Sequence, residues 1–286
     1  MLLSAGEAFD DLIVHGLSRL PRPGEELRAP AFTRTVGGGA VITAVAAARA
    51  GCAVRLLSAL GPAAVARLSS EDIVVRNLRR PGEASALTVA LSTRRDRAFV
   101  TVDGANAHLE SRLLDSLARP PRVAHLHLAL GPRDLPAWTR VLRDCRDRGI
   151  GTSWDFGWHE TLPRRRGFAA LLEELDWVFV NEREARLYTG TRTLAAAERA
   201  WRARVRRVVI KQGARGVVAL VDGARLRMPA PRVKVVDTTG AGDAFNGGFL
   251  AALLAGRPLA ACLRAGVRMG SRSVTAAGGL DGLPRA

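Results

Sequence analysis

The stretch that decides the fold is Asp237-Thr238-Thr239-Gly240-Ala241-Gly242-Asp243-Ala244-Phe245. It follows a short β-branched run, residues 233–236, which predicts a buried strand. It leads into an Ala- and Leu-rich segment, residues 244–254, which predicts a helix that ends at the Gly-Arg-Pro turn of residues 256–258. Glycines let a ligand approach the backbone closely, and the first amides of a helix favour an anion. The stretch therefore predicts an anion-binding turn between a strand and a helix.

The chemistry of this turn depends on one carboxylate. Asp243 falls in the first turn of the predicted helix, where it can accept the proton of an attacking hydroxyl group. The amides of residues 240–242 can stabilise the charge that builds on a transferred phosphoryl group. The alternative is that Asp243 only caps a helix and the glycines only form a turn. A base and an anion site within one turn favour phosphoryl transfer.

The whole stretch resembles the C-terminal signature of the ribokinase-like carbohydrate kinases, the PfkB family. This resemblance implies an ATP-dependent kinase with Mg²⁺ in which Asp243 is the catalytic base. It implies an anion hole made by Gly240, Ala241 and Gly242. The carbonyls of Asp237 and Thr239 match positions that help to hold a monovalent cation in that family, with K⁺ as the candidate.

An N-terminal segment resembles the di-glycine signature of the same family, which lies in the sugar site. Val36-Gly37-Gly38-Gly39 is followed by an Ala-rich helical run, residues 40–50, that stops at Gly51. Gly37 and Gly38 would let the backbone approach a polyol closely. A simple strand-to-helix turn is the alternative.

Two more segments resemble acceptor-binding parts of the family. Residues 6–11 resemble its first strand, whose terminal aspartate binds substrate hydroxyls; Asp11 is the match and Asp10 the second choice. A buried carboxylate there would select substrates that carry hydroxyl groups, whereas an exposed loop acid is the alternative. Residues 103–107 resemble the return from the lid in ribokinases. Asn106 is therefore either a substrate contact or a plain turn residue.

The nucleotide side is indicated by a third group of resemblances. Asn181-Glu182-Arg183-Glu184 resembles the Asn-x-x-Glu motif, in which Glu184 would hold Mg²⁺ through water and Asn181 would bind the phosphates. Ordinary helix N-terminal residues are the alternative. Residues 208–216 resemble the strand and glycine turn over the nucleotide, and residues 273–279 resemble the closing segment beside the adenine. The nucleotide contacts implied in the first of these segments are Lys211, Gly213 and Gly216.

The chain departs from the family pattern at the acceptor site. Ile42 stands where the family usually has a sugar-binding asparagine, and Gly39 stands where ribokinases often have lysine. An apolar wall does not reward a hydroxyl group, so Ile42 favours a less hydroxylated ring or a nucleoside. Residues 59–85 look shortened. These departures leave open a nucleoside kinase or a catalytically silent sugar or nucleotide sensor; a vitamin-precursor kinase is disfavoured by the lid-like segments.

The alternation of strand-like and helical segments predicts an α/β fold with a mostly parallel sheet and helices on both faces. The resemblance implies one ribokinase-like domain over residues 1–286, with β-lid excursions at about 12–35 and 84–102. Within the second excursion, two apolar-polar alternating runs flank the polar turn 94–97, as in a hairpin. Family lids often pair across a two-fold axis, so we expect a homodimer through the lid. The predicted strands lie near residues 2–6, 53–58, 123–128, 150–155, 176–180, 207–211 and 216–220.

Composition predicts a soluble cytoplasmic enzyme. Of 286 residues 48% are hydrophobic, and no apolar run is long enough to span a membrane. The formal charge is +16, but only two of the 43 basic residues are lysines and the arginines are scattered. Aromatic residues make up 5% and no RNA- or DNA-binding motif is present, so we expect no specific nucleic-acid partner. Three widely spaced cysteines predict reduced thiols.

Two further patterns are read as unrelated to function. Asp155-Phe156-Gly157 spells the magnesium motif of protein kinases, but no catalytic-loop signature accompanies it. His125 and His127 lie on one face of a strand without a third metal ligand, which favours core histidines.

Overall fold

The computed structural model describes residues 1–93, 97–119 and 121–285. The strands are Leu2–Gly6 (β1), Phe9–Leu17 (β2), Ala31–Gly37 (β3), Val54–Ser58 (β4), Ile73–Asn77 (β5), Leu87–Thr93 (β6), Arg97–Val102 (β7), His125–Ala129 (β8), Gly151–Asp155 (β9), Trp177–Asn181 (β10), Arg207–Lys211 (β11), Val217–Val221 (β12) and Ala224–Met228 (β13). The α-helices are Gly39–Arg49 (α1), Pro62–Leu68 (α2), Leu109–Leu117 (α3), Leu135–Asp147 (α4), Phe168–Glu173 (α5), Glu182–Thr189 (α6), Leu194–Arg202 (α7), Ala241–Leu254 (α8), Leu259–Ser273 (α9) and Gly278–Asp281 (α10).

The main sheet has the strand order β13-β12-β11-β10-β9-β8-β1-β4-β5. The strands from β11 through β5 in that order pair in parallel, and β12 and β13 add an antiparallel edge. The central strands are continuous buried runs, as expected when helices cover both faces of a parallel sheet. The predicted α/β fold is confirmed, and the strands expected from the sequence lie within two residues of their predicted positions.

Two hydrophobic cores lie on opposite faces of this sheet. One contains side chains of α3 to α7, among them Leu113, Trp138 and Trp201. The other contains side chains of α1, α8, α9 and α10, among them Val45 and Phe249. The three-layer arrangement brings the carboxyl ends of the parallel strands and the N-termini of α6 and α8 to one edge, where ligands bind in sheets of this class.

A second, smaller sheet has the order β3-β2-β6-β7. β2 pairs antiparallel with β3 and parallel with β6, and β6 pairs antiparallel with β7. This sheet is the expected lid. Part of the predicted hairpin turn, residues 94–96, lies outside the described residues.

The run 233–236 is not a strand, and the prediction of a buried strand before α8 is wrong. Val235 and Val236 are more than half exposed. The amides of Val236 and Asp237 both donate to the carbonyl of Val274, at 2.8 and 3.2 Å. The segment therefore packs against the C-terminal end of α9 and not against the sheet. A β-branched run does not by itself provide the neighbouring strand that it needs.

The two histidines of β8 are core residues, as the sequence predicted. His125 and His127 are buried, and each has a ring nitrogen 2.8 Å from the hydroxyl of Ser153 on β9. Burial lowers the pKa of His125 to about 4 and that of His127 to about 3. All three cysteines are free thiols. Within the described residues, no helix combines the length and the apolar character that crossing a membrane requires.

Candidate active site

The predicted base and the three predicted anion-hole residues lie together at the start of α8, but the amide of Ala241 donates to the carbonyl of Thr238 at 3.4 Å, so the free amides are not the predicted set. Gly240 precedes the helix with a φ of 70°, a left-handed conformation that favours glycine. The amides of Gly242 and Asp243 donate to no other residue in the described part of the chain. Two unpaired amides at a helix N-terminus suit an anion.

Asp243 is held close to this anion hole in a half-buried position. Burial, followed by the neighbouring carboxylate of Asp155, raises the pKa of Asp243 to about 7, although the ammonium of Lys211 opposes the shift. A carboxylate with this pKa exchanges its proton near neutral pH, which a general base requires.

The di-glycine segment lies between the lid and Asp243. A Cβ added to Gly37 would lie 1.9 Å from Asp11 Oδ2, and one added to Gly39 would lie 3.2 Å from Asp243 Oδ1. Gly38 has a φ of 97°, and a Cβ there would lie 2.3 Å from the carbonyl oxygen of Glu7. The segment thus touches the lid acid at one end and the candidate base at the other.

The acceptor side contains the predicted polar residues, with Asp11 half-buried and Asn106 buried. Asp11 is in β2 of the lid, and not at the end of β1 as the resemblance implied. Burial, and then the charges of Asp10 and Asp237, raise the pKa of Asp11 to about 7. Asn106 is buried in a short 3-10 helix and donates to the carbonyl of Ala8 at 3.0 Å. Its Oδ1 has no hydrogen-bond partner among the described residues.

Ile42 is buried on α1 beneath the anion hole. A Cβ added to Gly240 would lie 2.4 Å from Ile42 Cδ1, and one added to Gly279 would lie 2.6 Å from it. The side chain therefore packs between the loop before α8 and the start of α10. It connects the acceptor side, where the sequence placed it, to the phosphoryl-transfer side.

The Asn-x-x-Glu residues form a capping box at the start of α6. Asn181 Oδ1 accepts from the amide of Glu184 at 2.9 Å, and Glu184 Oε2 accepts from the amide of Asn181 at 2.7 Å. This is the helix-terminal role that the sequence left as the alternative. Burial and the charge of Asp155 raise the pKa of Glu184 to about 7. The charge of Asp155 therefore raises the pKa of Glu184 as it raises that of Asp243.

Lys211 is the last residue of β11 and its ammonium reaches the anion hole. It donates to Asp155 Oδ2 at 2.7 Å and to Asn246 Oδ1 at 3.3 Å. A Cβ added to Gly242 would lie 2.9 Å from Lys211 Nζ. The structure thus brings the predicted nucleotide contact to the predicted anion hole.

Gly213 and Gly216 form the turn between β11 and β12, with φ of 57° and 89°. A Cβ added to Gly216 would lie 2.0 Å from the carbonyl oxygen of Met228. Gly216 therefore also allows the close approach of β13. Gln212 closes the turn by donating to the carbonyl of Gly216 at 2.8 Å.

The candidate cation residues connect the anion-hole loop to the C-terminal segment. Asp237 accepts from the amide of Thr239 at 2.7 Å and from that of Gly278 at 3.0 Å. Its side chain thereby fixes the loop before α8 against α10. The contact joins residues 273–279 to the loop before α8.

Asp155 and Asn246 are site residues that the sequence analysis missed. Asp155 was set aside with the protein-kinase look-alike, yet it ends β9 and pairs with Lys211. Asn246 lies one helical turn after Asp243 and donates to Asp155 Oδ2 at 2.8 Å. The position of Asp155 at the carboxyl end of a predicted strand was the signal that would have identified it.

The chain is similar in sequence and in fold to known proteins. The family model described as pfkB family carbohydrate kinase matches residues 1–286. The ribokinase of Bacillus subtilis is 26% identical over 288 residues, 98% of this chain and 94% of that protein. The cytidine kinase of Thermococcus kodakarensis is 41% identical over 114 residues, which cover 38% of this chain and 40% of that protein. A solved structure of Arabidopsis thaliana ribokinase complexed with ribose and ATP has a TM-score of 0.80 at 24% identity, covering 99% of this chain and 95% of that one.

Proposed function

The chain belongs to the pfkB family of carbohydrate kinases, and we propose that it transfers the γ-phosphoryl group of ATP to a hydroxymethyl group of a sugar or sugar-like substrate. Membership makes it a phosphotransferase that acts on an alcohol group of a sugar or nucleoside. The observation that carries the finer proposal is the arrangement at the start of α8. Asp243, two unpaired amides and the Lys211 ammonium meet there.

Asp243 removes the proton from the substrate hydroxyl group. The resulting oxygen forms a bond to the γ-phosphorus as the bond to the β,γ-bridging oxygen breaks, and ADP leaves. The amides of Gly242 and Asp243 donate to the oxygens of the transferred group, where negative charge must be balanced. The proton stays on Asp243 until product release.

The acceptor binds between Asp11 and Asp243. These carboxylates lie next to Gly37 and Gly39, which are two residues apart in the chain. Asp11 and Asn106 bind hydroxyl groups at one end while the hydroxymethyl group reaches Asp243 at the other.

A divalent cation would depend on the nucleotide for most of its ligands, because no cluster of three candidate metal ligands lies within the described residues. Glu184 is the protein carboxylate proposed for it, and the pKa values of Glu184 and Asp243 are raised in part by the charge of Asp155. Mg²⁺ would be held by Glu184 through water and would neutralise the nucleotide phosphates, which needs only one or two protein carboxylates. Asn181 would bind a phosphate, and the turn with Gly213 and Gly216 would lie over the nucleotide.

A monovalent cation is proposed behind the anion hole. The carbonyls of Asp237 and Thr239 would bind it, with the Asp237 side chain fixing the loop through the amides of Thr239 and Gly278. K⁺ would then raise the turnover rate without taking part in proton transfer.

We further propose a cytoplasmic homodimer of single-domain chains that pair through the lid. Cross-strand register places Leu87 opposite Val102 and Val89 opposite Val100, on the face of the lid sheet away from Asp11. Val100 and Val102 are more than half exposed. A second copy would cover this apolar face and the edge of β7. Sedimentation equilibrium should give a dimer, and Val100→Glu should give a monomer.

A nucleoside kinase is the second candidate. The local 41% identity to a cytidine kinase and the apolar Ile42 favour it. A sensor without turnover is the alternative from another class; the raised pKa of Asp243 and the unpaired amides argue against it.

The test is ATP consumption with Mg²⁺ and K⁺ across ribose, fructose, other ketoses, sugar acids and nucleosides. We expect turnover on at least one member and a loss of at least about a thousandfold in Asp243→Asn. Turnover by wild type that survives in Asp243→Asn would refute the assigned base. Measurable ligand binding with no turnover across the panel would favour the sensor.

A further inference from the structure

Three of the roughly four acceptor sites of the Asp155 carboxylate are filled by the protein itself. Its Oδ2 accepts from Lys211 Nζ at 2.7 Å and from Asn246 Nδ2 at 2.8 Å, and its Oδ1 accepts from the amide of Gly157 at 3.2 Å. The residue is 9% exposed. The arrangement therefore favours a role within the protein.

Lys211 has one proton left for a ligand. The ammonium carries three protons, and the residues that the structure describes accept two of them, at Asp155 and Asn246. Nζ lies against Gly242, whose amide is part of the anion hole. The remaining proton is thus available next to the site at which phosphoryl charge would accumulate.

The ion pair between Asp155 and Lys211 holds the Lys211 ammonium in one position. Lysine is a compact charge on a flexible four-carbon stem, and it needs partners to stay in one place. A buried ion pair is weak evidence for stability, because desolvation offsets the attraction between the charges. Asn246 contacts both members of the pair and comes from the same helix as Asp243. The pair therefore couples β9 and β11 to the helix that carries the base.

We propose that Lys211 is a catalytic residue whose remaining N–H donates a hydrogen bond to the transferred phosphoryl group, and that Asp155 is the positioning residue that holds Lys211 there with Asn246. This inference rests on the proposed kinase function and assigns roles within the same site.

The pair also acts on the base, and its two members act with opposite sign. The charged groups that face Asp243 are Asp155 of β9, Lys211 of β11 and Glu184 of α6. Asp155 and Glu184 raise the pKa of Asp243, whereas Lys211 lowers it. Removal of Asp155 should therefore move the acid limb of the pH profile to lower pH, and removal of Lys211 should move it to higher pH.

The kinetic experiment compares Asp155→Asn, Lys211→Met and the double variant. Lys211→Met should lower kcat by about a hundredfold or more, as loss of a charge-stabilising donor does. Asp155→Asn should lower kcat less, because the lysine is present but misplaced. The double variant should match Lys211→Met and restore the acid limb towards its wild-type position. Glu198→Gln, which breaks the 2.7 Å surface pair with Arg225, is the control with unchanged kcat.

These outcomes separate the inference from the proposed function. If wild type phosphorylates a substrate but Lys211→Met keeps its kcat within twofold, Lys211 is not catalytic. If the losses multiply in the double variant, Asp155 acts independently of Lys211 and the positioning role is wrong. A wild type without turnover on the whole panel would instead remove the kinase proposal. The double variant removes both charges together and therefore provides a folded sample if a single variant unfolds.

A second readout does not depend on activity. Lys211 and Lys234 are the only lysines in the chain, so lysine-selective ¹⁵N labelling gives two ammonium signals. ADP with Mg²⁺ and aluminium fluoride, which mimics the transferred group, should shift the Lys211 signal more than ADP with Mg²⁺ alone. Asp155→Asn should abolish this difference. An equal shift with both probes in wild type would place Lys211 away from the transferred group and overturn the proposal.

Discussion

The two ends of the site differ in how many hydrogen bonds the protein itself provides to their polar side chains. At the phosphoryl-transfer end, Asp155, Lys211 and Asn246 hydrogen-bond to one another, so that only one Lys211 proton and the amides of Gly242 and Asp243 are left for a ligand among the described residues. At the acceptor end, Asn106 Oδ1 is buried without a partner and Asp11 accepts no hydrogen bond from the described residues. A buried polar group without a partner costs about 1–3 kcal/mol. The protein therefore holds the groups for phosphoryl transfer in place with its own hydrogen bonds. The polar groups of the acceptor end would gain their partners from the acceptor, which would make binding selective.

The largest effect on activity is expected at the phosphoryl-transfer end. Gly242→Ala would place a methyl group 2.9 Å from Lys211 Nζ and displace the ammonium. We expect kcat to fall by about a hundredfold with the acceptor KM nearly unchanged, because a displacement of about 1 Å has effects of this size. Steady-state kinetics measure this. Gly242→Ala combined with Lys211→Met should be no worse than Lys211→Met alone, and a further loss would mean that the methyl group acts on the amides instead.

At the acceptor end, the effect should appear in binding. Asp11→Asn removes a charged acceptor, and hydrogen bonds to charged groups contribute about 1.5–3 kcal/mol, so the acceptor KM should rise about tenfold or more. The KM for ATP should stay constant. Asp10→Asn is the matched control on the opposite face of β2. A larger effect in Asp10→Asn than in Asp11→Asn would reassign the acceptor carboxylate.

The raised pKa of the base predicts a trade between activity and stability. Asp243 has a folded-state pKa of about 7 against an ordinary value of 3.8. The folded state thus binds its proton more tightly than the unfolded state, and stability falls as pH rises from about 4 to 7. Activity needs the ionised form, so kcat/KM should rise with pH through about 7 and then level off.

Asp243→Asn separates these two effects by removing the titrating group. It should raise the melting temperature by a few degrees at pH 8 and have less effect at pH 5. Thermal unfolding at the two pH values measures this. An equal change at both would mean that burial does not shift the pKa of Asp243.

The smallest effect is expected where the two ends meet. Ile42→Val removes the Cδ1 atom that packs against Gly240 and Gly279. We expect the free energy of unfolding to fall by about 0.5–1.5 kcal/mol, as is typical of this substitution in a core. Denaturant titration measures it. The acceptor KM should change by less than threefold; a larger change would place Ile42 in direct contact with the substrate.

The elements that the sequence predicted correctly are those that depend on neighbouring residues in the chain. Strands such as Trp177–Asn181 are apolar runs bounded by polar turns, and the run into α8 is helical in composition. The family motif placed Asp243 beside an anion-binding turn, and the structure has this geometry. The run 233–236 failed because a strand needs a neighbour, and the amide of Val236 found the end of α9 instead.

The missed residues depend on contacts between distant parts of the chain. Lys211 is 56 residues from Asp155, and Asn246 is 91 residues from it. Nothing in the local sequence around Asp155 indicates either partner. The sequence Asp155-Phe156-Gly157 also resembles a protein-kinase motif, and this resemblance obscured the position of Asp155 at the end of a strand.

The sequence by itself determined the order of most strands and helices and the glycine turn that places Asp243 in the first turn of α8, because backbone conformation and helix dipoles are set by neighbouring residues. The tertiary structure alone decided which charges meet. The parallel register of β9, β10 and β11 brings Asp155 and Lys211 to one edge, and the packing of α8 adds Asn246. Electrostatic interactions depend on distance in space, and in this site that distance is fixed by the folding of residues far apart along the chain.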